Sequence, residues 1–184
     1  YALVERNFVD GGIMLKRKAI ASIKNWVNTK NKKCLVVQGA RQTGKTYIIE
    51  RFAEDNYEEL LEINFKQMVS AVDIFSGDLT VDNMVMAMRF RFPEKKILPG
   101  KTLIFLDEIQ DCPQARAAIK FLVEDGRFDY IESGSLLGVK TNSVPSFPVG
   151  FETPLTMYPL DFSEFCMACG LQPETFDYLK TCFE

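Results

Sequence analysis

Short apolar runs alternate with stretches of helical period along most of the chain. Cys34-Leu35-Val36-Val37-Gln38 is apolar and β-branched, the length and type of a strand buried on both faces of a parallel sheet. Residues 60–64, 102–107, 127–132 and 151–157 are further strand candidates. Residues 15–27 place Leu15, Ala19, Ile23, Trp26 and Val27 near i/i+4 spacing, which predicts an amphipathic helix whose tryptophan packs on the sheet. Residues 45–54 put Ile48, Ile49 and Phe52 on one helical face, and residues 81–90 do the same with Val81, Val85 and Met88. Met84, Met86 and Met88 read as adaptable core filling. Residues 113–124 carry good helix formers behind an opening proline.

The remaining stretches are less regular. Residues 67–75 give mixed signals and Ser76-Gly77-Asp78 reads as a turn, while residues 138–148, rich in Ser, Asn, Thr and Pro, predict a mobile loop. Asp161-Phe162-Ser163-Glu164 is a capping box that opens a short helix, and a second helix begins at Pro173. Residues 1–13 lack a period, contain the Asp10-Gly11-Gly12 breaker and precede Met14, so a leader or cloning remnant is expected there.

A length of 184 residues suits one α/β domain, or one domain and the start of another. The net charge of −3 argues against a surface given over wholly to nucleic acid. Nucleic acid is neither indicated nor excluded, because the charge is uneven. From Gly11 to Ile49 there is no acidic residue among nine lysines and arginines, which reads either as a solvated basic helix face or as a polyanion contact. No run approaches the roughly 20 apolar residues that span a bilayer, and no export signal is visible, so a cytoplasmic protein with free thiols among its five cysteines is expected. Cys166 and Cys169 form a lone C-x-x-C with no second pair to complete a zinc site. The absence of histidine removes Ser-His and Cys-His nucleophile pairs. Hydrolysis here would depend on carboxylates and a metal.

Gly39-Ala40-Arg41-Gln42-Thr43-Gly44-Lys45-Thr46 supplies the chemistry that the pattern of elements leads up to. It fits G-x-x-x-x-G-K-[ST], in which glycines let backbone N–H groups turn inward around phosphate oxygens while the lysine and hydroxyl serve the terminal phosphates and Mg²⁺. A strand precedes it and a helix beginning near Lys45 and Tyr47 follows, so a phosphate would sit at a helix N-terminus. The metal-side carboxylate is supplied by Asp107, which with Glu108 closes an apolar strand whose C-terminal end would face the ligand crevice of a parallel sheet. Glu108 is placed to orient or deprotonate a water in line with the γ-phosphate. Ser133-Gly134-Ser135 ends the next strand, where it is either a hydroxyl sensor of that phosphate or a plain turn.

Together with Leu106-Asp107-Glu108-Ile109-Gln110, Glu132-Ser133-Gly134-Ser135-Leu136-Leu137 and Pro159-Leu160-Asp161-Phe162-Ser163-Glu164-Phe165, the loop resembles that of prokaryotic AAA-family ATPases whose P-loop domain precedes a C-terminal domain of unknown function. The resemblance runs from about Met14 onward. It implies a three-layer α/β/α P-loop fold of the ASCE type, with a mainly parallel sheet and the catalytic strand inserted beside the loop strand. It implies ATP and Mg²⁺ as ligands. Residues 39–47 would bind nucleotide through the Walker A loop, Thr46 and the Walker B Asp107 would hold the metal, and Lys45, Glu108, Ser133 and Ser135 would serve catalysis. Residues 14–160 would then be the ATPase domain and residues 161–184 the start of a lid or linker to a further domain. Many relatives carry Gly-Arg shortly before the Pro-Leu box, whereas this chain has Gly150-Phe151. Arg116 and Arg127 are the candidates to replace that arginine, and the oligomeric state is left open.

Overall fold

A computed structural model describes residues 17–77, 80–135, 150–171, 175, 178, 181 and 182. In chain order the elements are α1 (Lys18–Val27), β1 (Cys34–Gln38), α2 (Lys45–Asn56), β2 (Glu59–Asn64), α3 (Val81–Arg91), β3 (Thr102–Asp107), α4 (Pro113–Asp125), β4 (Asp129–Gly134), β5 (Glu152–Thr156) and α5 (Phe162–Ala168). Short 3-10 turns occupy Val69–Phe75 and Ile109–Asp111. The first of these resolves the mixed signals of residues 67–75. Ala71, Ile74 and Phe75 are buried at i, i+3 and i+4, one helical face, but the stretch spans only seven residues, too few for that period to stand out in the sequence.

All the strand pairings are parallel, in the order β2-β3-β4-β1-β5. Period-2 alternation sorts the core into two layers. On β3, Leu103 and Phe105 face α1 and α2, where they join Ile23, Trp26, Ile48, Ile49 and Phe52. Ile104 and Leu106 face α3 and α4, among Met84, Val85, Met88, Ile119 and Leu122. Trp26 is buried in the first layer and donates from Nε1 to the Lys33 carbonyl at 2.7 Å. The protein is thus a three-layer α/β/α P-loop fold.

Three expectations need correction. The strand directly beside the loop strand β1 is β4, and β3 lies beyond it. The chain passes through β2 before reaching β3, and β4 is the strand that enters the gap. Met86 is 70% exposed, because it follows the Met84 and Val85 positions around the helix onto the solvent side. The α1 helix starts at Lys18, with Arg17 as its N-cap, and residues 15 and 16 lie outside the described residues. The loop expected over residues 138–148 also lies outside them, as does Asp78 of the expected turn.

The β5 edge of the sheet is blunted by its own sequence. Cys34 donates to the Phe151 carbonyl and Met157 donates to the Gln38 carbonyl, at 2.9 and 2.7 Å. The odd-numbered residues of β5 therefore turn their backbone groups toward β1, and Pro154 stands on the outward side, where it has no N–H to offer. No helix among the described residues is long and apolar enough to cross a membrane.

Candidate functional site

The site lies at the C-terminal ends of β1, β3 and β4, and strand register assembles it. Asn64 stands opposite Asp107. One step beyond the Leu106–Glu132 pair, Asp107 comes level with Ser133, which is itself opposite Val37 at the end of β1. Residues far apart in sequence thereby form one row next to the loop.

That row fixes the Asp107 carboxylate from several sides. Asn64 Nδ2 donates to Oδ2 at 2.8 Å, the Glu108 N–H donates to Oδ1 at 3.0 Å, and the Ser133 hydroxyl also donates to Oδ1. Asp107 is 5% exposed and Ser133 is fully buried. The Thr46 hydroxyl approaches Oδ2 at 3.4 Å. A hydroxyl and a fixed carboxylate oxygen on adjacent elements are hard oxygen ligands of the kind Mg²⁺ takes alongside phosphate and water. The residues present therefore fit Mg²⁺.

The loop follows β1 directly. Gln42 and Gly44 adopt left-handed backbone with φ of 63° and 84°, which turns the chain sharply into α2. Gly39 has to be glycine for a different reason: a Cβ there would lie 2.2 Å from the Met157 carbonyl oxygen. The start of α2 has no side-chain cap and no acidic residue in its first turn. By contrast Thr80 caps the start of α3, and a full capping box opens α5. An uncapped helix start keeps its N–H groups available to an anion.

Lys45 is buried, and its ammonium donates to the Gly39 and Ala40 carbonyls at 3.0 and 2.8 Å. The buried Thr43 bonds to the Ala40 carbonyl at 3.0 Å and braces the turn. Ala40, Arg41 and Gln42 are exposed on the outer lip, and Tyr47 is 46% exposed on α2. Glu108 holds left-handed backbone at φ 52°, ψ 47°, and its Oε2 accepts from Gln110 Nε2. The Ser135 hydroxyl is buried and has no hydrogen-bond partner among the described residues.

Both candidate arginines are engaged elsewhere. On α4, Arg116 is 5% exposed, with Nη2 3.7 Å from Glu132 and 3.5 Å from Glu152. Burial pushes the Glu132 carboxyl up to about 8, the Glu152 charge adds to the shift, and Arg116 opposes it. Arg127 pairs with Asp125 and Asp82, each at 2.7 Å. The sequence reading missed three other participants. Asn64 was signalled only by a polar amide at the end of an apolar strand, Gln110 by its position two residues after Glu108, and Arg17 by nothing local.

No curated protein matches the sequence. Among solved structures, the chain is similar to the ORC1 protein of Aeropyrum pernix in complex with DNA, with a TM-score of 0.54, 15% identity and coverage of 91% of this chain and 51% of that one. It is also similar to the Walker-type ATPase PABY2304 of Pyrococcus abyssi, with a TM-score of 0.53, 12% identity and coverage of 84% and 57%. At these identities the likeness shows the fold, and the chain spans little more than half the length of either structure. The AAA domain profile matches residues 31–166, from just before β1 into α5. Since that match takes in most of the 184 residues, the chain belongs to the AAA domain family.

Proposed function

We infer that this chain binds ATP with Mg²⁺ and hydrolyses it, coupling turnover to a conformational output. The observation that carries the reading is Thr46, next to Lys45 behind β1, lying 3.4 Å from the carboxylate of Asp107 at the end of β3, which Asn64 and Ser133 hold and Glu108 follows. When bound, the metal would neutralise charge on the β- and γ-phosphates. Thr46 and Asp107 would be its protein ligands.

The remaining work belongs to the chain itself. The loop N–H groups and the uncapped start of α2 receive the phosphates. Lys45 exchanges two neutral carbonyls for phosphate oxygens, which are the stronger acceptors of a charged donor. Glu108 orients the attacking water and takes up its proton as the new oxygen–phosphorus bond forms and the bond from the γ-phosphorus to the β–γ bridging oxygen breaks, with ADP as the leaving group. The Ser135 hydroxyl, without a partner among the described residues, would serve a phosphate oxygen, whereas the Ser133 proton is committed to Asp107.

A second reading, a nucleotide-gated interaction switch with little or no turnover, draws support from the arginines. Gly150-Phe151 supplies none, and Arg116 and Arg127 are occupied by carboxylates. Phosphate release by the wild-type chain and by Glu108→Gln decides between the two. Hydrolysis predicts that the variant keeps ATP affinity and loses roughly 10²- to 10⁴-fold in turnover. Tight binding with no release by either protein would replace the hydrolase with the switch.

A further inference from the structure

The Pro159–Phe165 box is the sequence motif that the nucleotide chemistry leaves unexplained, and Arg17 gives it a role. The Arg17 guanidinium donates from Nη1 to the Thr43 carbonyl of the phosphate loop at 2.9 Å and from Nη2 to the Tyr158 carbonyl at 2.6 Å. Its Nε lies 3.4 Å from Glu164 Oε1 on α5, and the two side chains are only 10% and 6% exposed. The same Glu164 oxygen accepts the Lys18 N–H at 2.8 Å, while Oε2 accepts the Asp161 N–H at 3.1 Å. Lys18 Nζ pairs with Asp161 in return. The starts of α1 and α5 are thus laced together, and the one guanidinium at the junction grips the outer, carbonyl side of the loop whose N–H groups would face phosphate.

We propose that Arg17 is a positioning residue for the phosphate loop and Glu164 its counter-ion, so that α5 and the loop respond to nucleotide as one unit. The proposal rests on the ATP-binding reading and adds how occupancy would leave the site. A planar guanidinium can bridge two carbonyls and a carboxylate at once, which a lysine ammonium on a flexible stem does not reproduce. Glu164, the N3 residue of the capping box, gives Oε2 to the Asp161 N–H and Oε1 to Arg17 and the Lys18 N–H; glutamine keeps one oxygen for the cap but loses both the charge and the acceptor on the Arg17 side.

The test uses Arg17→Lys, Glu164→Gln and the double variant, each checked by thermal unfolding without nucleotide. ATP and ADP affinity, turnover at saturation, and amide exchange over residues 42–46 and 162–168 are then measured. The expected result is a loss of roughly tenfold in nucleotide affinity in each single variant, a double variant little worse than either single, and a fall in turnover at saturation smaller than the fall in affinity. In the wild type, ATP should slow exchange in both segments. In Glu164→Gln it should slow the loop segment alone. Wild-type affinity in folded single variants, or fully additive losses, would overturn the coupling while leaving the ATP reading intact. Failure of the wild-type chain to bind ATP or ADP would overturn both.

Discussion

Asn64 stands directly across the parallel β2–β3 register from Asp107 and donates from its amide to Oδ2 at 2.8 Å. Thr46 faces the same oxygen. The amide therefore sets where that oxygen points without being a metal ligand itself, and it leaves Oδ1 to Ser133 and the Glu108 N–H. Removing it with Asn64→Ala should cost about 10- to 100-fold in Mg²⁺-dependent turnover. Asn64→Asp should cost more, by setting a like charge opposite Asp107. A magnesium titration of ATPase activity should show the half-saturating concentration rising in both variants. Unchanged titrations would remove Asn64 from the site.

Lys45→Ala takes away the one ammonium buried in the loop. Binding of ATP should weaken by about two orders of magnitude or more, since a charge-assisted contact to phosphate is lost and nothing else in the loop carries it. Calorimetric titration would measure this, with circular dichroism confirming the fold. Affinity within a few-fold of wild type would contradict the assignment.

At Gly39 the expectation concerns stability. A methyl group there would lie 2.2 Å from the Met157 carbonyl, and the Met157 N–H is already bonded to Gln38, so the neighbouring backbone cannot step aside freely. Gly39→Ala should lower unfolding free energy by about 1 to 3 kcal/mol. Denaturant unfolding would read the change, and a neutral result would mean that the turn after β5 yields easily.

The buried Glu132 predicts a pH dependence. Its folded-state value near 8 lies above the ordinary 4.5 of the unfolded chain. Between those values the folded form keeps a proton that the unfolded form has released. Stability from this group is therefore complete below about 4.5, falls as pH rises toward 8, and is level beyond. Glu132→Gln should gain on the wild type by an amount on the order of 2 kcal/mol between pH 5 and pH 8. Unfolding curves at those two pH values should diverge accordingly, and parallel behaviour would refute the shift.

The parts of the site that could be read from the chain are those whose signal is local. The β1 run, the glycines and lysine behind it, and the apolar strand ending at Asp107 each lie within a few consecutive residues. What escaped depends on which strands become neighbours. Nothing near Asn64 or Ser133 announces that register will bring both against Asp107, and nothing near Arg17 announces a carbonyl acceptor 26 positions on or a carboxylate on α5. The misplacement of β3 beside β1 has the same origin, because sequence order does not reveal that β4 enters between them. The engagement of Arg116 is equally invisible in sequence, because its two carboxylates, Glu132 and Glu152, come from strands on either side of β1.

Pro154 on the outer side of β5 bears on assembly. An incoming strand would find Glu152 and Thr156 able to bond and a gap between them where a donor is needed, so the ladder could not continue without a break. Growth of the described sheet from one molecule into the next is disfavoured in that direction. Contacts at this flank fall instead to side chains and helix surfaces, which part without unzipping the sheet that carries the phosphate loop.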